Sequence, residues 1–326
     1  MPDGPHPADP GVGSPGVRRV LVVGAGAMGS QIGMLCALAG FDATVTDVTA
    51  VALVAAQEQL HRRMLRDIEK GRRTAAAVDE AFGRLGFTTD LETAASTADY
   101  VIEAAVEKLD VKRDLFAALD RAAPPHAVLA TNSSSIVSSR IADATGRPDR
   151  VCNLHFFNPA LVMTCVEVVR GPATSDRTVE ISVELARALG KVPVLLNKEI
   201  PGFVANRILN AVRDEAIFLL ENGVASVEDI DTACRTALGY PMGPFELMDM
   251  TGIDIGYLTK QDRYAESGNP KDRPSTTVAA LVQRGELGRK TGRGWYEYDD
   301  AGGKSPRPAQ QLTGAPAVHH DGPDGS

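Results

Sequence analysis

Residues 18–47 read RRVLVVGAGAMGSQIGMLCALAGFDATVTD. The run RRVLVVG (18–24) is short, apolar and β-branched, and it ends in glycine, the form of a strand buried on both faces. A glycine-rich turn and an apolar helical stretch follow, and ATVTD (43–47) reads as a second strand ending in an acid. This is a βαβ unit. Gly24, Gly26 and Gly29 give G-x-G-x-x-G, a weak motif alone. It gains specificity from the strand before it, the helix after it and an acid about twenty residues on. The glycines let the backbone turn and approach a pyrophosphate, which the free N–H groups of the helix N-terminus attract. Asp47 can accept hydrogen bonds from ribose hydroxyls. It would repel a 2′-phosphate, and Val48 and Thr49 supply no cation to offset that, so the pattern favours NAD over NADP. The competing readings are a glycine turn that only packs a helix on a sheet, and a solvated acid at a strand end.

Working outward, residues 48 to about 86 are helical and highly charged, with a break near Gly71. They read as a helical hairpin inserted into a doubly wound sheet. Further strands are expected at YVIEAA (100–105), AVLATN (127–132), VCNLHFF (151–157), CVEVV (165–169) and PVLLN (193–197), with amphipathic helices between them. After Pro201 the strand signals stop and long amphipathic segments take over, with Ser226 as a helix N-cap. The expected architecture is α/β: a Rossmann-type doubly wound domain with an inserted hairpin, then an all-α C-terminal domain. The expected boundaries are a disordered tail over 1–16, the NAD-binding domain over 17–199, the helical domain over 200–299 and a second disordered tail over 300–326. Both tails are rich in Pro and Gly and poor in apolar residues.

The chain has 326 residues, 44% of them apolar, and a formal net charge of −8. Two domains fit that length. No basic cluster suggests a nucleic-acid surface, and no apolar run reaches the ~18 residues of a membrane span. The N-terminal stretch lacks the apolar segment of a signal peptide, so a cytoplasmic protein is expected. The cysteines, Cys36, Cys152, Cys165 and Cys234, form no CxxC pair and no cluster with metal-ligand spacing, so free thiols and no metal are expected.

Of the six histidines only His155 falls at the end of an expected central strand, where open α/β sheets carry their ligands. Histidine suits proton transfer near neutral pH. A satisfied core histidine is an equally good reading of the spacing. Glu167 interrupts the apolar run CVEVV, and a carboxylate there is costly unless paired. It is either an outward-facing edge residue or a partner that orients the His155 ring.

The segments LHFFNPALVMTCVEVV (154–169), PGFVANR (201–207), YPMGPFELMD (240–249) and GRKTGRGWY (288–296) resemble those of L-3-hydroxyacyl-CoA dehydrogenases, over about residues 17–299. The resemblance implies an NAD-dependent oxidoreductase with a helical dimerisation domain, hence a homodimer acting on a small acyl-CoA. It implies that His155 is the general acid/base and Glu167 its partner. Asn206 would hydrogen-bond the substrate carbonyl, and Ser134 would bridge the substrate oxygen and the nicotinamide region; within the run Ser133–Ser134–Ser135 the spacing to His155 favours Ser134. Glu107, Lys112, Asn158 and Lys290 are implied as cofactor contacts. Ala27, Met28, Ala104 and Asn132 are counted with them and with the glycines. On the residues alone, Lys112 and Lys290 read as surface lysines. Arg62, Arg63, Lys70, Arg72 and Arg73 in the hairpin are cations of the kind a CoA 3′-phosphate needs, with Arg63 and Lys70 chosen as substrate contacts, and a solvated helix face is the competing reading. Thr164 departs from the lysine common in such enzymes.

Three functions are therefore in play. The first interconverts L-3-hydroxyacyl-CoA and 3-ketoacyl-CoA, on short to medium chains, in fatty acid or butanoate metabolism. The second performs the same hydride chemistry on a carrier-protein thioester or sugar acid. The third is a non-catalytic NAD-binding regulator, which would not need His155, Glu167, Ser134 and Asn206 together.

Overall fold

The computed structural model describes residues 16–313. The tail expected over 1–16 lies outside the described residues up to 15, and that over 300–326 lies outside them from 314. The chain divides into two compact units, one ending at Val204 and the other beginning at Ala205.

In the first unit the strands are β1 (Arg19–Val23), β2 (Asp42–Thr46), β3 (Leu85–Thr88), β4 (Tyr100–Glu103), β5 (Val128–Thr131), β6 (Val151–Phe156), β7 (Cys165–Val169) and β8 (Val192–Leu196). They form one sheet in the order β3-β2-β1-β4-β5-β6-β7-β8. The first six follow the dinucleotide-binding order 3-2-1-4-5-6. Every pairing is parallel except β6 with β7. The helices are α1 (Ala27–Leu38), α2 (Ala50–Glu69), α3 (Ala75–Arg84), α4 (Leu91–Ala95), α5 (Leu109–Ala122), α6 (Ser139–Ala142) and α7 (Asp176–Ala188). Two apolar layers flank the sheet. One centres on Val20, Val22, Ile32, Met34 and Leu154, the other on Leu21, Val101, Phe116 and Leu129. Successive β1 residues enter opposite layers, as the twofold alternation of a strand requires.

The inserted hairpin is α2 and α3, capped by Thr49 and Thr74. The charged helical pattern predicts helix to about Gly86. Instead α3 runs without a turn into the short edge strand β3, whose four residues alternate too little to show a period of two.

The second unit contains α8 (Ala205–Glu221), α9 (Val227–Ala237), α10 (Pro244–Thr251), α11 (Ile253–Ser267), α12 (Thr276–Gln283), the strands β9 (Tyr296–Tyr298) and β10 (Lys304–Pro306), and α13 (Ala309–Thr313). Ser226 caps α9 by accepting from the Asp229 N–H at 3.1 Å. The core holds Ile217, Leu220, Phe245, Trp295 and Leu312.

Residues 300–313 correct the expectation of a disordered tail. β10 pairs with β9, Lys304 is hydrogen-bonded to Glu246, and the buried Arg307 reaches Glu286 at 3.1 Å. Leu312 is 1% exposed. These anchors outweigh the Pro/Gly bias of the intervening loop. Leu312→Ala should therefore destabilise the protein by about 2–5 kcal/mol, the range for a buried leucine. Denaturant unfolding checks this, and an unchanged midpoint would return the segment to the status of a tail.

Candidate active site

The glycine turn follows from steric exclusion. Gly24 has φ 106°, and a Cβ there would lie 2.6 Å from the Ala104 carbonyl oxygen. A Cβ on Gly29 would lie 1.8 Å from the Gly24 carbonyl oxygen, so only glycine lets α1 start this close to β1. Gly26 differs: a Cβ there meets no atom within 4 Å and would enter open space at the mouth of the turn. That leaves the backbone at Gly26, Ala27 and Met28 open to a phosphate at the N-terminus of α1. Asp47 accepts from the Ala25 N–H at 2.8 Å through one oxygen and from the Thr49 N–H at 3.3 Å through the other, and it is half-buried at the end of β2. Its remaining lone pairs suit a ribose diol. A bare backbone turn, a helix start and an acid beyond β2 together fit a dinucleotide.

The His155–Glu167 pair follows from the one antiparallel pairing in the sheet. The chain turns back after β6 and returns as β7, so that His155 stands directly opposite Glu167. Twelve residues of separation become a cross-strand neighbour pair, His155 Nδ1 to Glu167 Oε2 at 2.8 Å. Glu167 is 1% exposed and β7 lies inside the sheet, which excludes the outward-facing edge reading. Its other oxygen, Oε1, accepts from the Val204 N–H at 3.0 Å. That N–H is aimed by a strained turn: Phe203 has φ 48°, which costs about 1–3 kcal/mol for a non-glycine residue. Burial of the Phe203 ring, whose centroid lies 5.3 Å from that of His155, helps hold the conformation, and Phe157 approaches His155 to 4.6 Å. Among the described residues His155 Nε2 has no hydrogen-bond partner.

The serine loop after β5 sets the three serines apart by their partners. The Ser133 and Ser135 hydroxyls both donate to Glu107 Oε1, the latter at 2.7 Å. The Ser134 hydroxyl alone has no partner among the described residues. Burial works to raise the Glu107 carboxyl's pKa, but Ser133, Lys112 and Ser135 outweigh it and hold it below its ordinary value.

Lys112 corrects the reading of a surface lysine. It is 1% exposed, with its ammonium 2.6 Å from Glu103 and 3.2 Å from Glu107. Glu103, fully buried at the end of β4, also accepts from the Thr131 hydroxyl and the Ala105 N–H. Two carboxylates around one ammonium satisfy a charge that would otherwise be costly to bury. The signal was present in sequence, because Lys112 occupies the inward stripe of α5 with Phe116 and Leu119 at i+4 and i+7. Its ammonium is thus engaged within the protein, next to the Glu107 carboxylate.

The other candidates fall in varied settings. Asn132 accepts from the Phe156 N–H at 2.8 Å and so ties the end of β5 to that of β6. The Ala104 N–H donates to the Val23 carbonyl at 2.7 Å. Asn158 is exposed in the loop after β6 and precedes a cis proline. In the second unit Asn206 lies in the first turn of α8, and Lys290 forms an ion pair with Asp254 at 2.6 Å. Of the five hairpin cations singled out in the sequence, Arg62 pairs with Glu58, and Arg72 and Arg73 pair with Asp67. Arg63 and Lys70 have no ion-pair partner among the described residues. Arg63 lines a recess with Ala27, Ser30 and Gln31 of α1. Among the described residues no group of acids, histidines and cysteines could hold a metal, and no helix is long and apolar enough to cross a membrane.

Comparison with known proteins bears on the same two units. The sequence profile described as 3-hydroxyacyl-CoA dehydrogenase, NAD binding domain, matches residues 19–200, and that of the 3-hydroxyacyl-CoA dehydrogenase C-terminal domain matches residues 202–298. A 3-hydroxybutyryl-CoA dehydrogenase of Bradyrhizobium diazoefficiens is 40% identical over 285 residues, which are 87% of this chain and 97% of that one. The human mitochondrial hydroxyacyl-coenzyme A dehydrogenase is 39% identical over 288 residues, covering 86% of this chain and 91% of that one. The crystal structure of (S)-3-hydroxybutyryl-CoA dehydrogenase PaaH1 from Ralstonia eutropha superposes with a TM-score of 0.80 at 37% identity, covering 87% of this chain and all of that one. The cofactor is therefore NAD, and with both profiles matched in order and relatives aligned over nearly their whole length, the chain belongs to the 3-hydroxyacyl-CoA dehydrogenase family.

Proposed function

We propose that this oxidoreductase interconverts L-3-hydroxyacyl-CoA and 3-ketoacyl-CoA with NAD, on short to medium chains such as 3-hydroxybutyryl-CoA and acetoacetyl-CoA, in fatty acid or butanoate metabolism. The observation that carries this reading is a histidine whose Nδ1 is bound to a buried carboxylate and whose Nε2 has no partner among the described residues. Such a ring is held with one nitrogen ready for a substrate proton.

In the oxidative direction Nε2 takes the proton of the 3-hydroxyl, and Glu167 stabilises the imidazolium that results without itself becoming protonated. NAD, when bound, supplies the acceptor for the hydride that leaves C3. In the reductive direction the imidazolium returns its proton to the keto oxygen. The Ser134 hydroxyl orients the substrate oxygen, and Asn206 hydrogen-bonds the substrate carbonyl. The glycine turn, Asp47, Ala104, Glu107, Asn132, Asn158 and Lys290 are the proposed NAD contacts, with Lys112 acting through Glu107. Arg63 and Lys70, which have no ion pair among the described residues, are proposed for the CoA phosphates. The names of the aligned relatives support CoA over a carrier protein, and hydroxybutyryl names support a short chain.

A homodimer built through the helical unit belongs to the same proposal. Ile208, Phe218, Leu238, Ile255 and Leu258 are each more than half exposed there, more apolar surface than a lone domain ordinarily leaves wet. Light scattering should give about twice the chain mass, and a monomer at micromolar concentration would contradict the dimer. The proposed location is the cytoplasm.

One NADH assay tests the chemistry and the substrate. With acetoacetyl-CoA, His155→Gln should lose about 10²–10⁴ in kcat, the contribution of a positioned proton-transfer group, while NAD affinity stays near wild type. Across wild-type substrates of four to sixteen carbons, kcat/KM should level off or fall after about four to eight. Near-wild-type turnover in His155→Gln would defeat the mechanism, and kcat/KM that climbs to the longest chain would defeat the chain-length assignment.

A further inference from the structure

Asn153 sits inside β6, two residues before His155 and on the same face of the strand. It is fully buried in a run that is otherwise apolar apart from His155. A buried amide is costly unless its polar atoms are used. Here they are. Oδ1 accepts from the Ser138 N–H at 2.7 Å, and Nδ2 donates to the Ile136 carbonyl at 3.0 Å and to the Ser133 carbonyl at 3.3 Å. All three contacts fall on the backbone of the loop that carries Ser134, and they grip it on both sides of that residue.

We propose that Asn153 is a positioning residue, which fixes the Ser134 hydroxyl relative to His155 by fastening the serine loop to the strand that carries the histidine. This rests on the reading of Ser134 as a substrate-facing hydroxyl. The other contacts of the loop come from elsewhere: Glu107 holds the flanking serine hydroxyls, Thr131 accepts from the Ser133 N–H, Glu199 accepts from the Ser138 hydroxyl, and the Gly202 N–H donates to the Ser134 carbonyl. Asn153 is the member of this set that shares β6 with His155. Its amide opposes any tilt of the loop against β6, and a hydroxyl displaced by about 1 Å from a reacting centre can lose on the order of 10²-fold in rate. Among the described residues neither carbonyl that Nδ2 serves accepts a second hydrogen bond, so loss of the donor frees both.

The test is a double-variant cycle in kcat with acetoacetyl-CoA and NADH. Asn153→Asp keeps the volume and the acceptor for Ser138 and replaces two N–H donors with at most one O–H. It should lower kcat by about 10–100-fold with NADH affinity near wild type. Ser134→Ala should lower kcat on its own. If Asn153 acts through Ser134, the two losses will not multiply, and the double variant will lie within about twofold of the more impaired single variant. Multiplying losses, or Asn153→Asp with wild-type kcat, would overturn the proposal while leaving the reading of Ser134 intact. A silent Ser134→Ala would overturn that reading and this proposal with it. Asn153→Ala, which places no charge in the core, carries the same cycle if the aspartate variant does not fold.

Discussion

The 2.8 Å contact between His155 and Glu167 depends on a single reversal of strand direction. Had β7 run parallel to β6 like its neighbours, it would have needed a long crossover connection. The short loop after β6 instead returns the chain antiparallel and in register, so the two side chains face each other on the same side of the sheet. The pair also satisfies itself. A buried carboxylate without a partner would be strongly destabilising, and here both oxygens are engaged, one by the imidazole and one by the Val204 N–H. The strained Phe203 turn is a consequence, since it is what delivers that N–H.

The remainder of the first unit organises space around this pair. The glycine turn opens the backbone beyond β1, where phosphates can approach the N-terminus of α1. Glu103, Lys112 and Glu107 form a chain of charges from the buried end of β4 to the serine loop. That chain occupies the hydroxyls of Ser133 and Ser135 and leaves the Ser134 hydroxyl without a partner among the described residues. Charge deep in the sheet thus selects which hydroxyl is available at its edge.

Much of this was legible in the sequence because the signals are local. The G-x-G-x-x-G turn is forced by sterics at Gly24 and Gly29, and Glu167 stands out as a charge in an apolar run. What was not legible depends on pairing between distant segments. The pairing of Glu167 with His155 stood in the sequence as one of two readings, which the register of β6 against β7 decides, and only the fold shows that Lys112 points inward, although its place on the stripe with Phe116 and Leu119 hinted at it. Asn153 carries the same signal as Glu167, a polar residue in a buried strand, and its partners lie on a loop that no periodicity predicts. The order in residues 304–313 was hidden by composition, because a few well-placed anchors such as Arg307 and Leu312 suffice to fix a Pro/Gly-rich segment.

The central claim is that Glu167 fixes the His155 ring with its proton on Nδ1 and its lone pair on Nε2. Hydrogen positions follow from the hydrogen-bond pattern, so the tautomer can be measured independently. Nitrogen-15 NMR of the imidazole at a pH where the ring is neutral, in the wild type and in His155→Gln to assign the signal, reads it directly. The account predicts the Nδ1–H tautomer for His155. A neutral His155 carrying its proton on Nε2 would contradict it.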